Sequence, residues 1–200
     1  MARYAEIVDL HDDLLLPWLK LYETTFPPAE RLLVASLLGM LKEPARAGGN
    51  RMLAMVEADG SFVGLALYEL LAEASAAALW YLAVTPERRG QGLGGDFYRE
   101  IVHRLGDLPV RALLYEVEMP AQAEAPRLAR RRIRFYQRHG GKLLRGIHYM
   151  QSVGSHQPPI PMHLMVHPLH PPQMAPAEAF DLAARVFGTS VTRVGTLRLA

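Results

Sequence analysis

The segment from Leu79 to Leu105 constrains this chain more than any other stretch of its 200 residues. An apolar run, Leu79 to Val84, passes through Thr85-Pro86-Glu87-Arg88-Arg89 into Gly90-Gln91-Gly92-Leu93-Gly94-Gly95. A segment of helical periodicity, Phe97 to Leu105, follows at once. That order reads as strand, glycine-rich loop, helix. Four glycines in six positions let the main chain turn sharply and approach a ligand with no Cβ in the way. The amides of such a loop, with the unpartnered N–H groups and positive dipole end of the helix behind it, form a seat for an anion. Arg88 and Arg89 add charge suited to phosphate oxygens. A phosphate-bearing ligand is expected at this bend.

Three phosphate-binding templates compete for it. The nucleotide P-loop requires a lysine after its last glycine, and none is present. The dinucleotide pattern Gly-x-Gly-x-x-Gly is matched by Gly90, Gly92 and Gly95, and Glu116 lies in a later apolar run where a ribose-binding carboxylate would be sought. Its glycines belong directly after the strand, however, whereas Thr85 to Arg89 intervene, and the upstream segments read as hairpins. The acyl-CoA loop Arg/Gln-x-x-Gly-x-Gly/Ala is matched by Arg89, Gly92 and Gly94.

With its lead-in Leu82-Ala83-Val84-Thr85-Pro86, this last match resembles the central motif of the GNAT acyltransferases. A second stretch, Arg132-Ile133-Arg134-Phe135-Tyr136-Gln137-Arg138-His139-Gly140-Gly141, is similar to that family's later helix, in which a Phe-Tyr pair precedes a glycine. The two motifs stand in the family's order, and the resemblance spans roughly Ala5 to Pro168. It implies an α/β layered fold, with a mixed, mostly antiparallel central sheet flanked by helices. It implies an N-acyltransferase that takes acetyl-CoA, or another short acyl-CoA, and passes the acyl group directly to a small-molecule or peptide amine in a ternary complex. The cofactor would lie along Leu82, Ala83 and Val84 and be held at Arg89, Gly90, Gln91, Gly92, Leu93, Gly94 and Gly95. A domain over residues 1–170 and an extension over 171–200 are expected.

Bulk properties fit one domain with a real core, since half of the residues are apolar. No run approaches the roughly 20 apolar residues of a membrane span. The opening Met1-Ala2-Arg3-Tyr4-Ala5-Glu6 carries no apolar signal core, so a cytoplasmic location is the default. Absence of cysteine removes disulfides, thiolate metal ligands and an acyl-cysteine intermediate. Charge is uneven: residues 1–80 hold six Lys/Arg against eleven Asp/Glu, and residues 81–200 hold sixteen against nine. A basic half around the glycine loop suits a polyanionic cofactor. The acidic half leans toward a cationic amine, although scattered solvated carboxylates read equally well.

The periodicities predict a strand over Ala5 to Leu10 and a helix over Leu14 to Thr25 capped by Asp12 or Asp13, with Leu15, Trp18, Leu19 and Tyr22 on one face. A second helix over Glu30 to Lys42, a loop from Pro44 to Asn50, and a hairpin of Met52–Glu57 and Phe62–Glu69 around a primed Asp59-Gly60 turn follow. Further strands are expected over Ala77–Val84, Ala112–Met119, Lys142–Met150 and Met162–Val166, with a helix over Pro126–His139. Gln157 to Pro161 reads as a stiff extended link. Phe180, Ala183, Ala184 and Phe187 predict a C-terminal helix from near Pro176, to cover the core or to meet a second subunit in a homodimer.

Moving an acyl group from a thioester to an amine needs a neutral amine, a stabilised carbonyl oxygen and often a proton for the departing thiolate. The resemblance implies that an N–H of Leu82 or Val84 faces the acyl oxygen and that Tyr136 protonates the thiolate. Against that, Tyr136 reads as packing on the sheet with its hydroxyl at the rim. Some family members carry a glutamate midway along the strand before the loop, but its counterpart here is Ala78. Glu116 and Glu118, on one side of their strand, are the candidates to bind the ammonium or draw its proton through water, or else are simply carboxylates at an exposed strand end. Glu69 and Glu73 are further options, and Tyr149 is a candidate for the substrate pocket.

The arginines Arg127, Arg130, Arg131, Arg132, Arg134 and Arg138 crowd one helix but surround it, which reads as a solvated helix with one or two arginines reaching the cofactor's phosphates and not as a nucleic-acid stripe. His148, His156, His163, His167 and His170 gather late in the chain without zinc spacing, so no metal site is expected. A CoA-binding regulator without catalysis, made plausible by Ala78, and a dinucleotide-dependent oxidoreductase remain alternatives.

Overall fold

The computed structural model describes residues 2–42, 48–152, 158–170 and 173–200. Of the expected features, most of the Pro44–Asn50 loop, His156 and the Gln157 end of the proline link lie outside these residues. In chain order the elements are β1 (Arg3–Ile7), α1 (Leu15–Thr25), α2 (Val34–Met40), β2 (Gly49–Val56), β3 (Phe62–Leu71), β4 (Ala76–Val84), α3 (Leu93–Gly106), β5 (Ala112–Glu118), α4 (Pro126–Arg138), β6 (Lys142–Gln151), β7 (Ile160–Pro168), α5 (Pro176–Phe187) and β8 (Val191–Leu199). The fold is α/β, with mostly antiparallel strands flanked by helices. All five strand pairs with a described register run antiparallel. That pairing is not the parallel sheet that a dinucleotide-binding fold requires.

The chain forms two compact units. The first comprises residues up to Leu70 together with Leu79–Ile101, and the second comprises Leu71–Ala78, Val102–Ser152 and Pro158–Ala200. In the first unit the strand order is β1-β2-β3-β4. Its core is built on α1, whose Leu15, Trp18, Leu21 and Tyr22 are buried with Ile7, Leu37, Met52, Ala54, Leu65, Leu67 and Tyr81. The Trp18 indole N–H is satisfied within that core by the Leu53 carbonyl at 3.0 Å. Neither candidate acid caps α1, whose N-cap is Leu14 with no side-chain cap hydrogen bond; the Asp12 Oδ1 accepts the Leu14 N–H at 2.8 Å just ahead of the helix.

Three expectations in this unit are corrected. The helix foreseen over Glu30–Lys42 starts four residues later, at Val34, because two phenols take the main-chain groups that a helix would need. Tyr81 donates to the Glu30 carbonyl at 2.9 Å and accepts the Leu32 N–H at 3.1 Å, while Tyr22 donates to the Leu32 carbonyl at 3.0 Å. Residues 31–33 are thereby held extended and Leu33 is 74% exposed. The hairpin also differs. A primed two-residue turn needs positive φ at its first central residue, but of the Asp59-Gly60 pair only Gly60 has it. Instead the Gly60 N–H reaches the Glu57 carbonyl at 3.0 Å, and the Asp59 carboxylate accepts the Ser61 N–H at 2.9 Å. This is a longer loop, and a register shift at Met55/Val56 accompanies it. The first strand is likewise displaced, to Arg3–Ile7.

In the second unit the strand order is β5-β7-β6-β8. Leu114, Leu144, Tyr149, Met162, Leu164 and Val166 are buried with Ala179, Leu182 and Ala183 of α5. The helix α5 begins at Pro176, whose missing N–H costs nothing at a first helical position. The strand β8, which pairs with β6 from Leu144↔Leu199 to Tyr149↔Val191, was not foreseen, since Val191–Leu199 lacks clean alternation.

The extended segment at Glu30–Leu32 generates a test. Tyr81→Phe leaves a partly buried donor and acceptor unpaired, and it is expected to lower stability by about 1–3 kcal/mol in urea unfolding at equilibrium.

Candidate functional site

The first unit presents the glycine loop. β4 ends at Val84, and the Thr85 N–H is held by the Val63 carbonyl at 2.9 Å. A 3-10 turn over Pro86–Arg88 then carries the chain to the glycines. Gly90 and Gly92 have φ of +80° and +85°, a region that a Cβ strains, so the bend needs glycine at both. A Cβ built on either meets no protein atom within 4 Å, which means that the space over the bend is open. Helix α3 starts at Leu93, and the Gly95 and Asp96 N–H groups turn back to the Gly92 carbonyl at 2.8 and 3.1 Å. The Leu93 and Gly94 N–H groups precede any helical acceptor and point out of the helix start, as first-turn amides do. Such an end favours an anion.

Side chains brace this loop from outside. The Arg89 Nε–H donates to the Val84 carbonyl at 3.2 Å, the Gln91 amide donates to the Glu87 carbonyl at 3.2 Å, and Arg88 is ion-paired with Glu57 of the hairpin turn. Of the two arginines expected at the phosphates, Arg88 is therefore also an anchor between loop and hairpin. On β4, Ala83 and Val84 are buried and Leu82 is partly exposed. Trp80 donates its indole N–H to Glu69 at 3.1 Å, which occupies one of the reserve base candidates.

The second unit presents a phenol and two carboxylates. Tyr136, on the last turn of α4, is buried, and its ring lies 4.2 Å from that of Tyr115. The helix stops just beyond it. Gly140 takes φ of +93°, its N–H reaches the Gln137 carbonyl at 3.2 Å, and the Gly141 N–H reaches the Tyr136 carbonyl at 2.9 Å. This paired termination is why a glycine pair follows the Phe-Tyr pair at that spacing. Gly141 is constrained as well, because a Cβ there would collide with the Tyr115 hydroxyl. Burial pushes the Tyr136 phenol up to about 12, partly offset by the Arg132 guanidinium, so it stays protonated at neutral pH.

Glu116 and Glu118 sit two apart on β5, both partly buried, with different partners. Glu118 is ion-paired with Arg132 of α4 at 2.8 Å. Glu116 accepts the Tyr149 hydroxyl on Oε1 and the Gln151 amide N–H on Oε2, the latter at 2.7 Å. Ala78, at the position of the missing strand glutamate, is fully buried, and Glu73 is exposed on a 3-10 turn over Ala72–Ala74. Burial, with Arg145 and His139 nearby, lowers the pKa values of His163 and His167 respectively. Among the described residues no group of three or more His, Asp or Glu side chains is placed to hold a metal ion.

Residues 8–140 match the acetyltransferase (GNAT) family. The chain belongs to the GNAT acetyltransferase family. No curated protein sequence matches it. Solved structures share the fold. A GNAT-family protein from Bacteroides thetaiotaomicron superposes with a TM-score of 0.73 at 24% identity, covering 94% of this chain and 99% of that one. The ribosomal-protein-S18-alanine N-acetyltransferase of Escherichia coli gives 0.58 at 17% identity, with 88% and 96% covered. A phosphinothricin acetyltransferase from Sinorhizobium meliloti, in complex with AcCoA, gives 0.56 at 16% identity, with 84% and 88% covered.

The loop of the first unit has open space over two left-handed glycines at the start of a helix. Gln151 and Arg132 were not singled out in the sequence. Gln151 stands two residues after Tyr149, the one signal that could have marked it as sharing a β6 face. Arg132 was hidden among six arginines of one helix. No helix in the described residues is long and apolar enough to cross a membrane.

The Tyr136 environment gives a spectroscopic prediction. The ordinary phenol pKa is 10.0, and burial raises this one, so between about pH 10 and pH 12 the unfolded chain sheds a proton that the folded chain keeps. Its contribution to folding is unchanged below pH 10 and turns unfavourable as pH rises through that window. The ultraviolet difference titration of wild type minus Tyr136→Phe is expected to show one phenol ionising near pH 12. A midpoint near pH 10 counts against this burial.

Proposed function

We propose that this chain is an N-acyltransferase that moves an acetyl or other short acyl group from acyl-CoA directly to a primary amine, in the cytoplasm, on a small-molecule or peptide acceptor. The observation that carries the reading is the Gly90–Gly95 bend, with its left-handed glycines, open space and outward first-turn amides. Pyrophosphate oxygens suit those donors. The basic balance of the second part of the chain favours the same polyanion. Residues 1–170 would carry the activity, with 171–200 as an appended helix and strand.

In this reading β4 orients the thioester, with Leu82 or Val84 offering an N–H to the carbonyl oxygen as it gains charge. The amine nitrogen bonds to the carbonyl carbon, the carbon–sulfur bond breaks, and the thiolate takes a proton. Tyr136 is the proposed donor, since its raised pKa keeps the phenol intact at working pH. Glu116 and Glu118 are the proposed carboxylates for the ammonium and its departing proton. Glu118 is engaged by Arg132, and Glu116 by Tyr149 and Gln151.

One observation favours a second reading, a GNAT-fold regulator that binds CoA without catalysis: Ala78, buried, replaces the strand glutamate. Calorimetric titration with acetyl-CoA and NADH, followed by an amine screen read by free-thiol release, separates the readings. Acetyl-CoA binding with thiol release supports the enzyme, whereas binding with no release from any amine class supports the regulator. NADH binding lost in Glu116→Ala would overturn both.

Two variants sharpen this. Gly92→Val is expected to abolish acetyl-CoA binding while the chain still unfolds cooperatively, because its branched side chain fills the open seat; unchanged affinity argues against the seat. Tyr136→Phe is expected to lower kcat about a hundredfold with little change in acetyl-CoA affinity, the range for loss of a general acid.

A further inference from the structure

The second unit holds a buried acceptor atom that has no donor among the described residues. Tyr149 and Gln151 alternate along β6 onto one face, and their polar ends grip both oxygens of Glu116 from β5: the Tyr149 hydroxyl on Oε1 and the Gln151 Nε2 on Oε2. The grip settles which way the Gln151 amide points. Exchanging its nitrogen and oxygen would set a carbonyl against a carboxylate, so Oε1 is turned away from Glu116 Oε2 while remaining one amide width from it. That Oε1 is buried and accepts no hydrogen bond among the described residues. Buried acceptors are seldom left this way, and a ligand donor is among the few explanations.

We propose that Gln151 Oε1, together with the Glu116 carboxylate beside it, receives the ammonium group of the amine substrate. A protonated primary amine carries three N–H donors around one positive charge, which meets a neutral acceptor and an anionic one in the same place. A guanidinium is planar and matches two coplanar oxygens of one carboxylate, an arrangement that Tyr149 and Gln151 already occupy on Glu116. A neutral alcohol has a single donor and leaves the carboxylate side unused. Tyr149 then acts as a positioning residue: burial and the Glu116 charge both hold its phenol protonated, so it keeps donating to Oε1. Glu118 does not share this arrangement, since Arg132 already provides its cationic partner.

The inference rests on the N-acyltransferase reading for the cation's role as acceptor, but the site can be judged without turnover. The full chain, 15N-labelled, is titrated with n-butylammonium chloride and separately with n-butanol, following the Gln151 side-chain amide and nearby main-chain resonances. The wild type is expected to show saturable shifts at Gln151 with butylammonium and none with butanol. Gln151→Met is expected to bind butylammonium about tenfold or more weakly, as loss of a hydrogen bond to a charged group implies. Equal affinity in Gln151→Met with the fold intact by circular dichroism, or equal response to butanol, would overturn the inference. Acetyl-CoA titration of the same samples keeps the two readings apart: lost CoA binding with an intact ammonium site sinks the enzyme reading alone, and the converse sinks this site alone.

Discussion

A helix that begins directly behind a glycine bend cannot satisfy its own first amides, and the first unit is arranged around that deficit. Gly90 and Gly92 bring the chain into the start of α3 in a left-handed conformation closed to other residues at little cost. The approach is then pinned from several sides, by Thr85 on Val63, Arg89 on Val84 and Arg88 on Glu57. Each of these contacts spends a polar group of the loop's flanks and leaves the amides of its crest to face outward. An anion-binding bend works only if its donors are fixed before the anion arrives, because ordering them on binding would cost conformational entropy. Bracing and openness are therefore two sides of one requirement.

The second unit meets a different requirement, keeping polar groups functional inside apolar packing. Tyr136 sits on the final turn of α4, where Gly140 and Gly141 close the helix within a few residues. Burial there raises its pKa and keeps the phenol protonated. On β5 the apolar residues Tyr115 and Val117 are buried while Glu116 and Glu118 alternate with them, and the two carboxylates have different fates. One is matched by a cation, and the other by a phenol and an amide. Residues of the same type, two apart on one strand, thus differ in chemistry because β6 lies toward one and α4 toward the other in their hydrogen bonding.

Much of this was legible in the chain itself. The strand–glycine–helix order, the Phe-Tyr-x-x-x-Gly-Gly helix end and the apolar alternation of β4 and β5 are local signals, carried by residue types within about a dozen positions, and the elements formed where those signals stood. The misplacements have a common cause. Glu30 to Leu33 has helical periodicity, but Tyr22 and Tyr81, the latter about fifty residues away, claim its main-chain groups. Asp59-Gly60 has the composition of a tight turn, but the register of β2 on β3 leaves room for a longer one. β8 has weak alternation of its own and forms because β6 offers an edge to pair with.

Residue chemistry by itself determined that this chain would place glycine-borne amides after a buried strand and a phenol ahead of a helix stop, because glycine's φ range and apolar periodicity act locally. Tertiary structure alone decided which side chains meet: that Glu118 faces a guanidinium, that Glu116 faces Tyr149 and Gln151, and that one amide oxygen is left buried without a donor among the described residues. Those outcomes depend on strand register and helix placement, where a shift of a single residue turns a side chain to the opposite face. No local pattern encodes that register, so the partners of a charged group emerge only when the sheet has formed.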